Sequence, residues 1–302
     1  MHNKVVIVGC GNVGMSYAYA LLNQRTSVNE LVLIDLDKKR AEGEAMDLNH
    51  CLAFAPSNIY IHSGDYDECS DSKLVVIAAG ANQNKGETRM DLIDKNSKIF
   101  KSIVGSVVKS GFKGIFLVAT NPLDVMTYIT WKYSGFDTHR VLGSGTSLDT
   151  SRLRYLIGKK LGIGPKNIHA YVIGEHGDSE FVPWSNATVG LQNMNYFLSD
   201  KEKEEIADEV KNAAYQIIER KGATYYGIGM CLVSITNAIL NDENRIITVS
   251  TYDKENDVFV GLPTIVNKRG AKGRIYVDLT EEEEDKLQHS IDVIKEAVKK
   301  IK

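Results

Sequence analysis

The 302-residue chain has only four cysteines, Cys10, Cys51, Cys69 and Cys231, and no CxxC pair. Thiols this scattered exclude a disulfide framework and a zinc ribbon, and no metal is expected; they read as small apolar residues in a reducing compartment. No apolar run approaches the roughly 18 residues that a membrane-spanning helix needs. The apolar stretch at residues 5–8 is too short for a secretory signal and runs straight into a glycine turn. A cytoplasmic protein is therefore expected. Charge of one sign is also lacking: 36 Lys and Arg stand against 39 Asp and Glu, a formal net charge of -3. With no long basic runs, neither nucleic acid nor an anionic membrane is an expected partner. Repeats and low-complexity linkers are missing, so the halves of the chain should pack as one unit with a cleft between them.

What is present is a regular alternation. Residues 4–8, 31–35, 74–79 and 114–119 are short β-branched runs of buried-strand type, and 12–25 and 38–50 read as helices. That order predicts a parallel sheet covered on both faces, with right-handed crossovers. After about residue 141 the rhythm changes. The pattern gives a helix at 148–161, a strand at 168–173, a long helix at 199–221 and antiparallel runs at 246–252, 258–266 and 273–278. A last helix opens at Thr280, with Leu287, Ile291, Ile294, Val298 and Ile301 along one face. Ser199 with Glu202, and Thr280 with Glu283, have capping-box spacing. The expected fold is α/β: an N-terminal Rossmann, doubly wound parallel sheet over residues 1–143, then a C-terminal α+β substrate domain over 144–302.

Gly9-Cys10-Gly11-Asn12-Val13-Gly14 follows the first strand and opens the first helix. Gly9 permits the tight turn, Gly11 lets a pyrophosphate approach the backbone, and Gly14 lets helix and strand pack closely. The helix N-terminus offers unpaired N–H groups to the phosphates. Asp35 ends the second strand, where a carboxylate accepts both ribose hydroxyls of NAD and repels the extra phosphate of NADP. Asp37, just beyond the strand end, is the second choice. Ala79 and Gly80, after another strand, line the same cleft. NAD is the expected cofactor.

In the second half, Gly174-Glu175-His176-Gly177-Asp178 puts a histidine in a glycine-flanked turn after a strand. Asp149 and Arg152, three apart on a helix, share a face. A carboxylate touching His176 fixes its tautomer and favours imidazolium, the proton donor that carbonyl reduction needs. Arg152 offers a planar fork for a substrate carboxylate. The alternative for Asp149 and Arg152 is a surface ion pair of little worth. The polar segment 79–89 reads either as an ordinary exposed loop or as one that closes over a ligand and brings in Arg89.

Six separated motifs, GCGNVG, AAGANQNKGETRMDL, ATNPLDV, GSGTSLDTSRLR, IGEHGDS and KGATYYGIG, together resemble the L-lactate/malate dehydrogenase family. The resemblance runs in order from residue 5 to about 230. It implies reversible hydride transfer between NADH and a 2-keto acid. It makes His176 the proton donor and acceptor, Asp149 its carboxylate partner and Arg152 the anchor of the substrate carboxylate. Arg89 becomes the loop arginine that polarises the carbonyl. Asn121 orients substrate and nicotinamide ribose, Thr224 lies beside the substrate and Ile228 contacts the nicotinamide ring. At Gln83 the malate-type members resemble an arginine, which would pair with a second carboxylate; the neutral amide here favours pyruvate and L-lactate. Dehydrogenases of malate or of longer 2-hydroxy acids such as 2-hydroxyisocaproate are the alternatives. Asn84-Lys85-Gly86 replaces the Lys-Pro-Gly of many members, which should loosen the open loop.

Arg154 sits about 200° around the helix from Arg152 and so faces away from the active site. His169 lies on the strand that leads to His176. In fructose 1,6-bisphosphate-activated bacterial members, an arginine and a histidine at these positions line an effector site between subunits. The resemblance thus implies that effector, and a homo-oligomer, expected to be a tetramer. Only three residues precede Lys4, so the long N-terminal arm of animal-type tetramers is expected to be missing and the effector to support assembly.

Overall fold

The computed structural model describes residues 2–81 and 89–301, without the side chains of 89–91. The first half runs β1 (Lys4–Val8), α1 (Asn12–Leu22), β2 (Glu30–Ile34), α2 (Lys38–His50), β3 (Tyr60–Ser63), β4 (Leu74–Ile77), α3 (Arg89–Lys109), β5 (Ile115–Val118), α4 (Leu123–Ser134) and β6 (Val141–Gly143). These six strands are parallel and lie in the order β3-β2-β1-β4-β5-β6. This is the doubly wound arrangement expected of the Rossmann fold. All of β1 is buried: Val5 and Ile7 belong to one core layer with α1 and α2, Val6 and Val8 to the other with α3 and α4. Burial on both faces is why these strands read as unbroken apolar runs rather than alternating ones. The thiols of Cys10, Cys69 and Cys231 are each pushed up to about 12, by burial first, so none is a reactive thiolate.

The second half adds α5 (Ser147–Leu161), β7 (Ile168–His169), β8 (Thr188–Val189), β9 (Gln192–Asn193), α6 (Asp200–Lys221), α7 (Tyr226–Leu240), β10 (Arg245–Asp253), β11 (Val258–Asn267), β12 (Gly270–Arg274) and α8 (Glu281–Lys299). The antiparallel strands β10, β11 and β12 join the parallel sheet through β10 and β6, giving one nine-stranded sheet. Both capping boxes form, Ser199 with Glu202 and Thr280 with Glu283.

Three boundaries differ from the sequence reading. α1 stops at Leu22, with Asn23 as its cap, rather than at residue 25. The strand expected at 168–173 pairs only at Ile168–His169, with a single bridge at Ile173. Its remaining backbone groups turn to α5 instead of a neighbouring strand. Val172 N–H donates to Thr150 Oγ1 (2.9 Å), Thr146 Oγ1 donates to the Val172 carbonyl (2.6 Å), and Arg154 Nε donates to the Ala170 carbonyl (3.0 Å). The strand expected at 273–278 is displaced to 270–274, because Gly270, at φ +94°, lets β12 start directly after a tight turn from Asn267.

Candidate active site

The first cleft opens at the carboxyl ends of β1 and β4, where the strand order reverses and nucleotides bind in such sheets. Gly9, at φ +107°, presses on the backbone of Ala79; a Cβ there would lie 2.6 Å from Ala79 N. A Cβ at Gly14 would strike the Gly9 carbonyl oxygen, so only glycine lets α1 start this close to β1. At Gly11, by contrast, a Cβ would meet nothing within 4 Å. The backbone in front of α1 is open where a pyrophosphate must approach, and α1 has no side-chain cap over its first N–H groups. Asp35 is fixed at the end of β2: its Oδ2 accepts from Cys10 N–H (2.7 Å) and its Oδ1 from Asp37 N–H (3.0 Å). Asp37 instead caps α2 by accepting from Arg40 N–H. The open backbone at Gly11 and the braced carboxylate at Asp35 both fit a dinucleotide. Asn12 and Val13 form the first turn of α1, Gly80 packs on Thr120, and Asn121 follows β5 at the same edge.

His176 sits in an excursion, residues 174–180, pinched at its base by paired hydrogen bonds between Ile173 and Phe181. Gly174, at φ +101°, also pairs with Gly261 of β11, and Ser290 of α8 accepts from Glu175 N–H (2.6 Å). The excursion is thus tied to the sheet and to the last helix. His176 Nδ1 lies 2.7 Å from Asp149 Oδ2, and Arg152 Nη1 lies 2.6 Å from Asp149 Oδ1. Asp149 is in the first turn of α5, where the helix dipole favours an anion. Its residue exposure is 1%, against 24% for the His176 side chain and 13% for that of Arg152. The carboxylate is therefore the deep member, with imidazole and guanidinium reaching outward from it.

Electrostatics follow from that layering. Burial alone would raise the Asp149 carboxyl; the charges of His176 and Arg152 outweigh it and hold Asp149 below the usual carboxylate range. Burial would lower His176, but the charge and hydrogen bond of Asp149 push it up to about 9. The imidazolium therefore persists at neutral pH with Nδ1 committed to Asp149, which leaves Nε2–H to donate outward.

Other site residues arrive by separate routes. Thr224 is half-buried in the turn between α6 and α7, and Ile228, in the first turn of α7, packs on the core beneath the cofactor cleft. Gly227 brings α7 against α5, since a Cβ there would lie 2.7 Å from Leu148 Cδ1, beside Asp149. Arg154 lies over the Tyr171 ring (4.7 Å) and donates to the carbonyl of Ala170, the residue after exposed His169. Gln83 falls outside the described residues. Arg89 opens α3, but its side chain is outside them as well.

Two buried residues escaped sequence reasoning. Asp124 in α4 accepts from His176 N–H (2.7 Å) and from Ser250 Oγ, and burial pushes its carboxyl up to about 6. The signal was an acid among Leu123, Val125 and Met126, all buried. Asn96 in α3, wholly buried, accepts from Ala81 N–H (2.8 Å) and donates to the Asn121 carbonyl (3.1 Å). It clamps the segments after β4 and β5 to each other. Asn121 precedes Pro122 through a cis peptide bond.

Comparisons with known proteins agree with this geometry. The NAD-binding domain of lactate/malate dehydrogenases matches residues 3–143, and the α/β C-terminal domain of the same family matches 146–302. L-lactate dehydrogenase 2 of Bacillus cereus is 50% identical over 98% of this chain and 97% of its own length. L-lactate dehydrogenase 1 of Bacillus anthracis is 51% identical over the same shares. Among solved structures, a lactate dehydrogenase from a Medee basin deep-sea metagenome library superposes with a TM-score of 0.96, at 52% identity and 99% coverage of both chains. The minor L-lactate dehydrogenase of Enterococcus mundtii in its ligands-bound form gives 0.97, at 45% identity over 100% of this chain and 99% of that one. With a dinucleotide cleft, a histidine–carboxylate–arginine chain and whole-length similarity at this level, the protein belongs to the lactate/malate dehydrogenase family.

Proposed function

We propose that the protein is an NAD-dependent L-lactate dehydrogenase, interconverting pyruvate and (S)-lactate. The observation that carries this reading is the single buried carboxylate, Asp149, that holds both His176 and Arg152. It fixes a proton donor beside a carboxylate anchor, which is what a 2-keto acid requires. NADH, when bound, supplies the hydride. Arg152 binds the pyruvate carboxylate through its outward N–H groups. His176 Nε2 gives its proton to the keto oxygen as the alcohol forms, and in the reverse direction neutral His176 takes it back. Asp149 keeps the tautomer and stabilises the imidazolium. Asp124 and Ser290 support the backbone around His176 from α4 and α8, through His176 N–H and Glu175 N–H. Arg89, the first residue of α3, polarises the carbonyl, Asn121 and Thr224 border the substrate, and Ile228 backs the nicotinamide.

We read residues 1–143 as the cofactor unit, because Gly9, Gly11, Gly14, Asp35, Ala79, Gly80 and Asn121 all come from it. Residues 144–302, which supply Asp149, Arg152, His176 and Thr224, are the substrate unit. Gln83 favours pyruvate over oxaloacetate, since a second carboxylate facing a neutral amide would lack a countercharge at a cost of several kcal/mol. The names of the relatives support the same choice. We further infer activation by fructose 1,6-bisphosphate at Arg154 and His169, supported by the hydrogen bond of Arg154 to Ala170, the residue after His169, within a cytoplasmic homotetramer.

The test is NADH oxidation with pyruvate and with oxaloacetate, each with and without fructose 1,6-bisphosphate. Preference for pyruvate with activation supports both readings. Pyruvate preference without activation removes the effector, and oxaloacetate preference overturns the substrate.

A further inference from the structure

A third titratable group belongs to the site and has no role in the scheme above. Glu180 closes the excursion that carries His176, its N–H bonded to the Gly177 carbonyl (3.2 Å). Its carboxyl oxygen, an Asp149 carboxylate oxygen and a His176 ring nitrogen all lie within 4.8 Å of one another. Two carboxylates at that separation, one buried and one half-buried, cannot both stay ionised without strong mutual repulsion. Asp149 is the deeper of the two and already holds two cations, whereas Glu180 is only half-buried on the rim. The charge therefore stays on Asp149 and the proton falls to Glu180.

The charges at the end of the site that binds the substrate carboxylate point the same way. Asp149 and Arg152 face the cluster from α5, and His176 faces it from the excursion itself. The Asp124 charge, on α4, acts on His176, Glu175 of the excursion acts on Asp124, and the Cys231 thiol of α7 feels the charges of Asp149 and Arg152. Apart from Arg89 at the keto oxygen, Arg152 and the imidazolium bring two positive charges, and Asp149 with a substrate carboxylate brings two negative ones. An ionised Glu180 would add a third anion beside the carboxylate that Arg152 must bind. Burial, then the Asp149 charge, raises the Glu180 carboxyl to about 9, in the same direction as the geometry.

We propose that Glu180 is a positioning residue that acts as a proton-bearing neutral partner of the Asp149–His176 pair, and that its ionisation closes the site to 2-keto and 2-hydroxy acids. Its proton is not transferred in the reaction. Its loss leaves the anchor facing an anion and ties the imidazolium to a second carboxylate. The inference deepens the lactate dehydrogenase reading and rests on it.

The two directions of the reaction test it differently. Pyruvate reduction needs both His176 and Glu180 protonated, so at high pH kcat/KM should approach a fall of about a hundredfold per pH unit, against about tenfold when only one group titrates. Lactate oxidation needs His176 neutral and Glu180 protonated, so its profile should be bell-shaped. In Glu180→Gln the reductive limb should relax to the single-proton slope, and the oxidative profile should lose its alkaline fall and level off. Glu180→Ser removes the same titration without an amide and should give the same two slopes, so the test survives if either variant folds poorly. Slopes are independent of the absolute rate, which a merely structural role would change instead. All profiles are run with a chelator, because the three groups also have metal-ligand chemistry. Single-proton slopes in the unmodified enzyme, or slopes unchanged in both variants, overturn the role of Glu180. Failure of the unmodified enzyme to oxidise NADH with pyruvate at any pH overturns the lactate dehydrogenase reading instead.

Discussion

Replacing Asp149 by Asn removes the charge that holds His176 as imidazolium while keeping the shape of the side chain. A rise from the ordinary imidazole value of 6.5 to about 9 corresponds to at most about 3 kcal/mol of preference for the protonated form. Without Asp149, and with Glu180 neutral, burial is opposed only by the Asp124 charge, and His176 is expected to return to about the ordinary imidazole value of 6.5. At pH 7.5 the protonated fraction then falls from about 97% to about 9%, roughly a tenfold loss in kcat/KM for pyruvate from population alone. At pH 5.5 both enzymes are largely protonated, and that part of the deficit disappears. Arg152 also loses its partner, a loss that cancels when the two pH values are compared. The comparison belongs in a Glu180→Gln background, since Glu180 would otherwise ionise and replace the missing anion. Steady-state NADH oxidation is the assay. The variant-to-parent ratio should recover about tenfold between pH 7.5 and 5.5. A ratio that does not change with pH would refute the claim that Asp149 sets the protonation of His176.

Other outcomes follow from the same structure. Gly14→Ala drives a methyl group into the Gly9 carbonyl and should cost about 2 kcal/mol or more, seen as a lower Tm and weaker NADH binding by fluorescence titration. The raised His176 stabilises the fold fully below pH 6.5, and that contribution is lost as pH rises through about 9; denaturant unfolding of the enzyme against His176→Gln should show the difference shrinking over that window. Gln83→Arg should move kcat/KM towards oxaloacetate, and an unchanged pyruvate preference would remove Gln83 as the discriminator. Arg154→Gln should abolish any fructose 1,6-bisphosphate activation while NADH oxidation without effector continues; surviving activation would move the effector site elsewhere.

Much of this was legible from sequence because it is local. The GCGNVG turn, the two capping boxes and the apolar strand runs each depend on residues within a few positions of one another. The pairing of Asp149 with Arg152 follows from helical spacing. The pairing of either with His176 does not, and it rested on the resemblance until the fold brought α5 and the excursion together. Asp124, 52 residues from His176, and Asn96, 25 from Asn121, carry no spacing signal at all. Their only mark is a polar side chain within an apolar helix face. The strand at 168–173 misread for a related reason: its alternation is real, but Thr146, which caps α5, and Thr150 and Arg154 of α5 supply hydrogen-bond partners that a neighbouring strand would have supplied.

The central claim is that this site reduces the pyruvate carbonyl by direct hydride transfer from the nicotinamide to one face of the keto carbon, while His176 gives its proton to the oxygen. Its most direct test is reduction of pyruvate with NADH deuterated at the transferred position, followed by chiral separation and mass analysis of the product. The account predicts (S)-lactate alone, with the deuterium on its C2 carbon. Racemic or (R)-lactate, or product without the label, would contradict it.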